Sequence, residues 1–284
     1  VDNAVTIAGE RPDVVVRQEN PWAVSLRGTI PGDGRPVVRT LPVSDPAAFA
    51  RALFIERLRR EGVATSVSPL SVREARPRPP DETFAAREVA RHVSAPLHEV
   101  TKVTLKVSHN LYASTLPALV AVRYKERTVA AGLVRQGAFL REIGVGTEAV
   151  SFAGGAGGMN ADAVTPRSTV TLLKQLRAKD YYARFEAGLP VLGVDGTLAD
   201  VVGMDSPARG QVRAKTGTLF WTDVMNGRLM LRSKSLAGTM TTKSGRTLAF
   251  AAFVNDVPLA PGVMPAREGR ALGELCEILH AFAP

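Results

Sequence analysis

The sequence predicts an α/β (α+β) fold, a mainly antiparallel sheet flanked by helices, with a smaller β-rich portion ahead of it. Three observations carry this. The last third of the chain holds apolar β-like runs, two of them joined across a tight turn, Lys243-Ser244-Gly245-Arg246. The middle third holds apolar residues at helical spacing, in runs opened by capping residues or closed by glycine. The opening residues are short β-branched runs separated by turn signals.

Taken in order, Val5-Thr6-Ile7, Val14-Val15-Val16-Arg17 and Ala23 to Gly28 read as strands, and Pro31-Gly32-Asp33-Gly34 as a turn. A boundary is set at 43/44. There Asp45 or Ser44 caps a helix with Pro46 in its first turn, Phe49, Leu53, Phe54 and Leu58 on one face, and Gly62 at its end. Residues 67–86, with Pro69, Pro77, Pro79 and Pro80, read as a linker. Helical patterns fill 96–125, interrupted at Pro117. An amphipathic helix follows over 126–143 (Val129, Leu133, Phe139, Leu140), closed by Gly144. After the glycine-rich stretch Gly154 to Gly158, Thr165-Pro166 opens a helix to about Leu176. Gln211 to Leu219, Leu236 to Thr242 and Thr247 to Val254 read as strands. The last of these is so apolar that a central, buried position is expected. Ala266 to Phe282 has the pattern of a terminal amphipathic helix, with Cys276 as a small core residue.

The 284 residues suit one large domain or one and a half, and no apolar run is long enough for a transmembrane helix. The first residues do not form a signal peptide. A net charge of +9 raises the question of nucleic acid, but basic residues are scattered and only 6% of residues are aromatic, so a solvated basic face is the expectation. One cysteine excludes an intrachain disulfide. His92, His98 and His280 lack metal-ligand spacing, and no Gly-Lys-Ser/Thr follows the glycines, so neither a metal, a phosphate loop nor any other cofactor is expected.

Chemistry-bearing residues gather in two places. Lys215-Thr216-Gly217-Thr218-Leu219 lies on an apolar strand, and Ser108-His109-Asn110 stands upstream of it, after a helical lead-in. Singly, Ser108 and Asn110 read as helix caps and Lys215 as a surface lysine. As an ordered set, with Gly193-Val194-Asp195-Gly196-Thr197-Leu198 and Thr165-Pro166 between them, they match two of the three motifs of penicillin-recognising acyl-serine enzymes. The third, Ser-x-x-Lys, is absent: no serine here is followed by lysine three residues on.

The set resembles the later part of the class C low-molecular-mass penicillin-binding proteins, the D-alanyl-D-alanine carboxypeptidase/endopeptidase family, over nearly the whole chain. The resemblance implies a β-lactamase/transpeptidase-like fold with a five-stranded antiparallel sheet. Residues 1–43 would be a remnant of a β-rich inserted domain, and 44–284 a transpeptidase-like domain without its Ser-x-x-Lys segment. It implies a peptidoglycan stem peptide ending in D-Ala-D-Ala as substrate, β-lactams as ligands and a place outside the cytoplasmic membrane. Ser108 would relay a proton to the leaving amine, and Asn110 would hold the substrate backbone. Lys215 would favour the substrate carboxylate and tune its neighbours. Thr216 and Thr218, flanking Gly217 on the substrate-binding strand, would hold the carboxylate, with the Thr218 N–H as an oxyanion donor.

Two departures stand out. Where the family reads Asp-Gly-Ser-Gly, this chain has Gly154-Gly155-Ala156-Gly157, and Phe220 to Lys234 intervenes after the Lys-Thr-Gly strand. Two readings follow: a serine carboxypeptidase with its nucleophile on a segment outside this chain, or a non-catalytic peptidoglycan-binding relative. A β-lactamase stands behind both, for want of a Glu-x-x-x-Asn between the motifs. In the first reading, apolar surface left by the absent segment requires a partner segment to cover it.

Overall fold

The computed structural model describes residues 1–10, 12–20, 23–32, 36–39, 41–71, 88 and 90–282, except the side chains of 266–268. The linker expected over 67–86 and the centre of the Pro31–Gly34 turn lie largely outside these residues. The chain forms two compact units, Val1–Arg91 and His92–Pro284.

The first unit holds β1 (Asp2–Ile7), β2 (Asp13–Asn20), β3 (Ala23–Ile30) and α1 (Pro46–Arg60). The three strands expected here form one sheet in the order β1-β3-β2, with β1 parallel and β2 antiparallel to β3. Asp45 caps α1, its carboxylate accepting the Ala48 N–H at 2.9 Å. The buried stripe of α1 is Ala48, Ala52 and Ile55, whereas Phe49, Leu53 and Phe54 are exposed. The apolar face read from the sequence is thus displaced around the helix. The unit ends after residue 91 and so takes in α1, where the sequence reading set its boundary at 43/44.

The second unit opens with α2 (Leu97–Lys106), α3 (Asn110–Arg123) and α4 (Val129–Glu142). Pro117 does not interrupt α3. Proline there removes only one intrahelical N–H, and α3 continues through it. Then come the two-residue strands β4 (Val150–Ser151) and β5 (Ala163–Val164), α5 (Pro166–Arg177) capped by Thr165, α6 (Tyr182–Gly188) and a 3-10 turn, Gly196–Leu198. The main sheet comprises β6 (Val212–Asp223), β7 (Arg228–Thr241) and β8 (Thr247–Pro258), antiparallel in the order β6-β7-β8. α7 (Ala266–Phe282) closes the unit.

The sheet therefore has three strands among the described residues, not five. β8 lies at its edge with mostly half-buried side chains, rather than central and buried. An apolar run cannot by itself separate these cases: β8 is covered on one side by β7 alone. Phe220 to Lys234 forms no separate lid. It prolongs β6 and β7 into a longer hairpin with a bulge after Leu219, turning at Gly227 with φ of +61°.

The core joins Leu192, Leu198, Ala208, Val212, Ala214, Leu236, Met240, Leu272 and Cys276. A fully buried leucine contributes about 1.5–3 kcal/mol, so this cluster anchors the 189–198 segment, β6, β7 and α7 to one another. It holds the Lys215 strand against the segment carrying Thr197. Cys276 is in that core as expected, and burial followed by the Glu277 charge pushes its thiol up to about 12. Among the described residues no helix is long and apolar enough to cross a membrane.

Candidate active site

The break between α2 and α3 places Ser108. Its φ is +56°, a left-handed conformation that costs a residue with a β-carbon roughly 1–2 kcal/mol. His109, not Ser108 or Asn110, caps α3. Its Nδ1 accepts the Tyr112 N–H at 3.3 Å, and its ring stacks on Tyr112 at 4.2 Å. This leaves the Ser108 hydroxyl to accept a hydrogen bond from Lys215 Nζ at 2.9 Å. Residues 107 positions apart are thereby joined across α2 and β6.

Lys215 also donates to the Thr216 carbonyl at 2.6 Å. Burial, and then the positive charge of Lys234, pull its ammonium down to about 8. Thr216 Oγ1 lies 2.8 Å from Thr197 Oγ1, and Thr218 Oγ1 accepts from Lys234 Nζ at 2.8 Å. A β-carbon on Gly217 would stand 2.4 Å from Ser235 Oγ, so any side chain there would require the Ser235 hydroxyl to turn away.

These groups meet in a cleft of about 350 Å³, whose walls include Ser108, Asn110, Thr197, Thr216, Thr218 and Lys234. A neighbouring cleft of about 300 Å³ shares Thr218 and Ser235 and takes in Gly217, Asp162 and Arg232. The structure therefore gathers Ser108, Asn110, Thr216 and Thr218 in one cavity, with Lys215 bonded to its serine and Gly217 on the adjoining wall. Among the described residues no three His, Cys, Asp or Glu side chains are grouped to hold a metal ion.

Residues 3–269 match the D-Ala-D-Ala carboxypeptidase 3 (S13) family. The chain belongs to that family. It is 31% identical to the D-alanyl-D-alanine carboxypeptidase of Actinomadura sp. (strain R39), over 75% of this chain and 40% of that relative. It is 28% identical to D-alanyl-D-alanine carboxypeptidase DacB of Haemophilus influenzae, over 86% of this chain and 47% of the relative. It thus spans less than half the length of these curated relatives. Penicillin binding protein 4 of H. influenzae, crystallised with a β-lactam, matches with a TM-score of 0.69 and 24% identity, over 95% of this chain and 59% of that one. The same protein in a second crystal structure gives 0.72 at 22% identity, over 99% and 61%. These structures share the fold, mixed α/β with helices around the sheet.

Within this S13 chain, the altered glycine loop is held by Asp162, whose carboxylate accepts the Ala153 and Met159 N–H groups at 2.8 and 2.9 Å. Gly155 packs against α3 so closely that a β-carbon would stand 2.0 Å from the Ala113 carbonyl. That carbonyl is the one denied an intrahelical partner by Pro117.

Sequence reasoning missed four further participants. Thr197 and Asp195 stand in the Gly193–Leu198 stretch that helped identify the family, but their partners were invisible. Lys106 bonds both Asp195 oxygens, at 2.6 and 2.7 Å, and the Leu189 carbonyl at 2.7 Å. Burial pushes the Asp195 carboxyl up. The Lys106 hydrogen bond, the Val191 N–H and the charges of Lys106 and Arg213 outweigh it and hold the group below the usual range. Lys234 gave no signal, because its role comes from lying opposite Thr218 across the β6–β7 ladder.

Proposed function

We propose that this chain is the later, substrate-holding part of a serine-type D-Ala-D-Ala carboxypeptidase/endopeptidase. It works through an acyl-serine intermediate on peptidoglycan stem peptides, outside the cytoplasmic membrane, with the nucleophile on a Ser-x-x-Lys segment not in this sequence. The observation that carries the reading is the 2.9 Å Lys215–Ser108 hydrogen bond at the wall of a cleft lined by Thr216 and Thr218.

The chemistry follows from these groups. The neutral lysine of the Ser-x-x-Lys segment takes the proton of the nucleophilic serine as the serine oxygen adds to the carbonyl of the penultimate D-Ala. The oxyanion is met by the Thr218 N–H, a kind of donor whose loss costs a hundredfold or more in rate. The C–N bond to the terminal D-Ala then breaks. Ser108, both donor and acceptor, gives its proton to the leaving amine and takes in return the one that the Ser-x-x-Lys lysine drew from the nucleophile, while Lys215, hydrogen-bonded to Ser108 at 2.9 Å, keeps its charge for the substrate carboxylate. Thr216 and Thr218 hold the terminal carboxylate and Asn110 the peptide backbone. Water then cleaves the acyl ester.

Support for a companion segment comes from surface chemistry. Val107, Leu111, Leu119, Val122 and Val134 on and beside α3 and α4 are exposed, and among the described residues β8 has one neighbouring strand. A segment that packs on these helices and pairs with β8 would bury both.

The experiment is to incubate the naturally produced protein with fluorescent penicillin and read the label by denaturing gel and intact mass. Label on a longer polypeptide, or on a companion fragment bearing Ser-x-x-Lys, is expected. No label on any fragment would sink the enzymatic reading in favour of the non-catalytic peptidoglycan-binding one.

A further inference from the structure

The Lys106–Asp195 pair reaches across 89 positions of sequence, yet it stands two residues from Ser108 and two from Thr197. We propose that this pair is a positioning clasp for the relay serine: it fixes the end of α2 to the 195–197 turn and so sets the distance between Ser108 and Lys215. The consequence for rate rests on the function proposed above; the consequence for geometry does not.

The contacts form a closed ring. From Lys106 the chain runs through Val107 to Ser108, whose hydroxyl meets Lys215 Nζ at 2.9 Å. The next residue, Thr216, meets Thr197 at 2.8 Å, and two residues back from Thr197 is Asp195, which returns to Lys106 at 2.6 Å. Gly196 tightens the closure. Its φ is +60°, and a β-carbon on it would stand 2.6 Å from the Lys106 carbonyl, so the turn lies directly against the end of the helix.

The pair is built unlike an ordinary surface bridge, which contributes little. The Lys106 side chain is only 17% exposed, and its ammonium has three acceptors: both Asp195 oxygens and the Leu189 carbonyl. Asp195 Oδ1 also takes the Val191 N–H at 2.9 Å. The clasp thus ties α2 to the Leu189–Leu192 segment, whose Leu189 and Leu192 are buried. Ser108 needs such support. It is exposed and held in the left-handed region, where nothing in its own backbone preference keeps it. Lys106 and Asp195 do not reach the reacting atoms themselves and act only through Ser108 and Thr197.

The test replaces both partners at once, Lys106→Met with Asp195→Asn, so that the net charge near Lys215 is unchanged. Two quantities are read. The first is the Lys215 titration, followed by NMR of the chain carrying ¹³C-labelled lysine. The second is penicillin acylation by the full-length gene product, with kcat and KM on a D-Ala-D-Ala peptide. If the clasp positions Ser108, the Lys215 midpoint moves up from about 8 as the site loosens. The acylation rate and kcat fall by about tenfold to a hundredfold, while KM changes far less. Lys106→Arg, which keeps a cation within reach of the same acceptors, recovers most of the loss. A lower melting temperature with an unmoved Lys215 midpoint would make the pair merely structural and overturn the proposal. If the double variant does not fold, Asp195→Glu, which lengthens one arm of the clasp, decides by the same Lys215 readout. An unreactive parent protein would defeat the proposed function, while the titration would still decide the clasp.

Discussion

Lys215 is the residue where the site's electrostatics are most exposed to test. Its ammonium is drawn down from 10.5 to about 8, first by burial and then by Lys234. Below about 8 the folded and unfolded chains both carry the proton, and the folded chain bears the full desolvation cost. Between about 8 and 10.5 the folded lysine releases its proton while the unfolded one keeps it, so stability rises with pH through that window. Lys215→Met should therefore stabilise the protein at pH 7 by on the order of 2 kcal/mol, and the gain should vanish above pH 10.5, as read by denaturant titration at several pH values. If Lys215 meets the substrate carboxylate as proposed, the same substitution should abolish that recognition. In the parent, Kd for a carboxylate ligand should rise by about tenfold per pH unit once the lysine has lost its proton. A flat Kd from pH 7 to 10 would show that the charge of Lys215 is not what the ligand meets. Ser108 offers a second separation of stability from chemistry. Glycine accepts a φ of +56° freely, so Ser108→Gly should gain about 1 kcal/mol of stability. On the function proposed above, the full-length gene product carrying this change should also lose a hundredfold or more in turnover, with the relay hydroxyl gone. Loss of stability in this variant would mean that the Lys215 hydrogen bond outweighs the backbone strain.

Elements meet the site through close backbone approaches, and glycines mark where these occur. Gly155 is wedged against the Ala113 carbonyl, whereas Gly158, in the same loop, has open space around its α-carbon and ordinary φ. Gly155→Ala should therefore cost about 2–3 kcal/mol and push the loop off α3, while Gly158→Ala stays within about 0.5 kcal/mol. Thermal melts of the pair check this, and equal effects would show that the loop is not seated on α3. The two glycines look alike in sequence, which illustrates what was legible. Helix limits were readable where local chemistry fixes them: Asp45-Pro46 and Thr165-Pro166 at starts, Gly62 and Gly144 at ends, each a matter of caps or φ. The β7–β8 turn was readable for the same reason. The motif residues of the cleft were readable as an ordered set, although no spacing rule could foretell a 2.9 Å contact across 107 positions. What stayed hidden was set by partners distant in sequence. Lys106 finds Asp195 through tertiary packing, and His109 takes the cap that Ser108 would otherwise supply. The edge position of β8 depends on which strands surround it, a property that its own apolar composition does not encode.

At the scale of the whole molecule, the second unit shows apolar surface of a kind that folded chains normally cover. Val107, Leu111, Leu119, Val122 and Val134 are each more than half exposed, and covering a side chain of this size contributes about 1.5–3 kcal/mol. Among the described residues β8 pairs with β7 alone, and an unpaired strand edge is the usual route by which sheets recruit another strand. A net charge of +9 opposes self-association at low salt and is screened at high salt. The chain produced alone should therefore bind a hydrophobic dye such as ANS. It should also shift from monomer toward larger species as salt rises, measured by light scattering after size exclusion. Addition of a polypeptide carrying Ser-x-x-Lys and a strand able to pair with β8 should suppress both effects and raise the unfolding midpoint. A chain that is monomeric at all salt concentrations, binds no dye and unfolds in one sharp transition would show that these faces are stable in water. The companion segment proposed to hold the nucleophile would then have lost its structural argument and would rest on the motif alone.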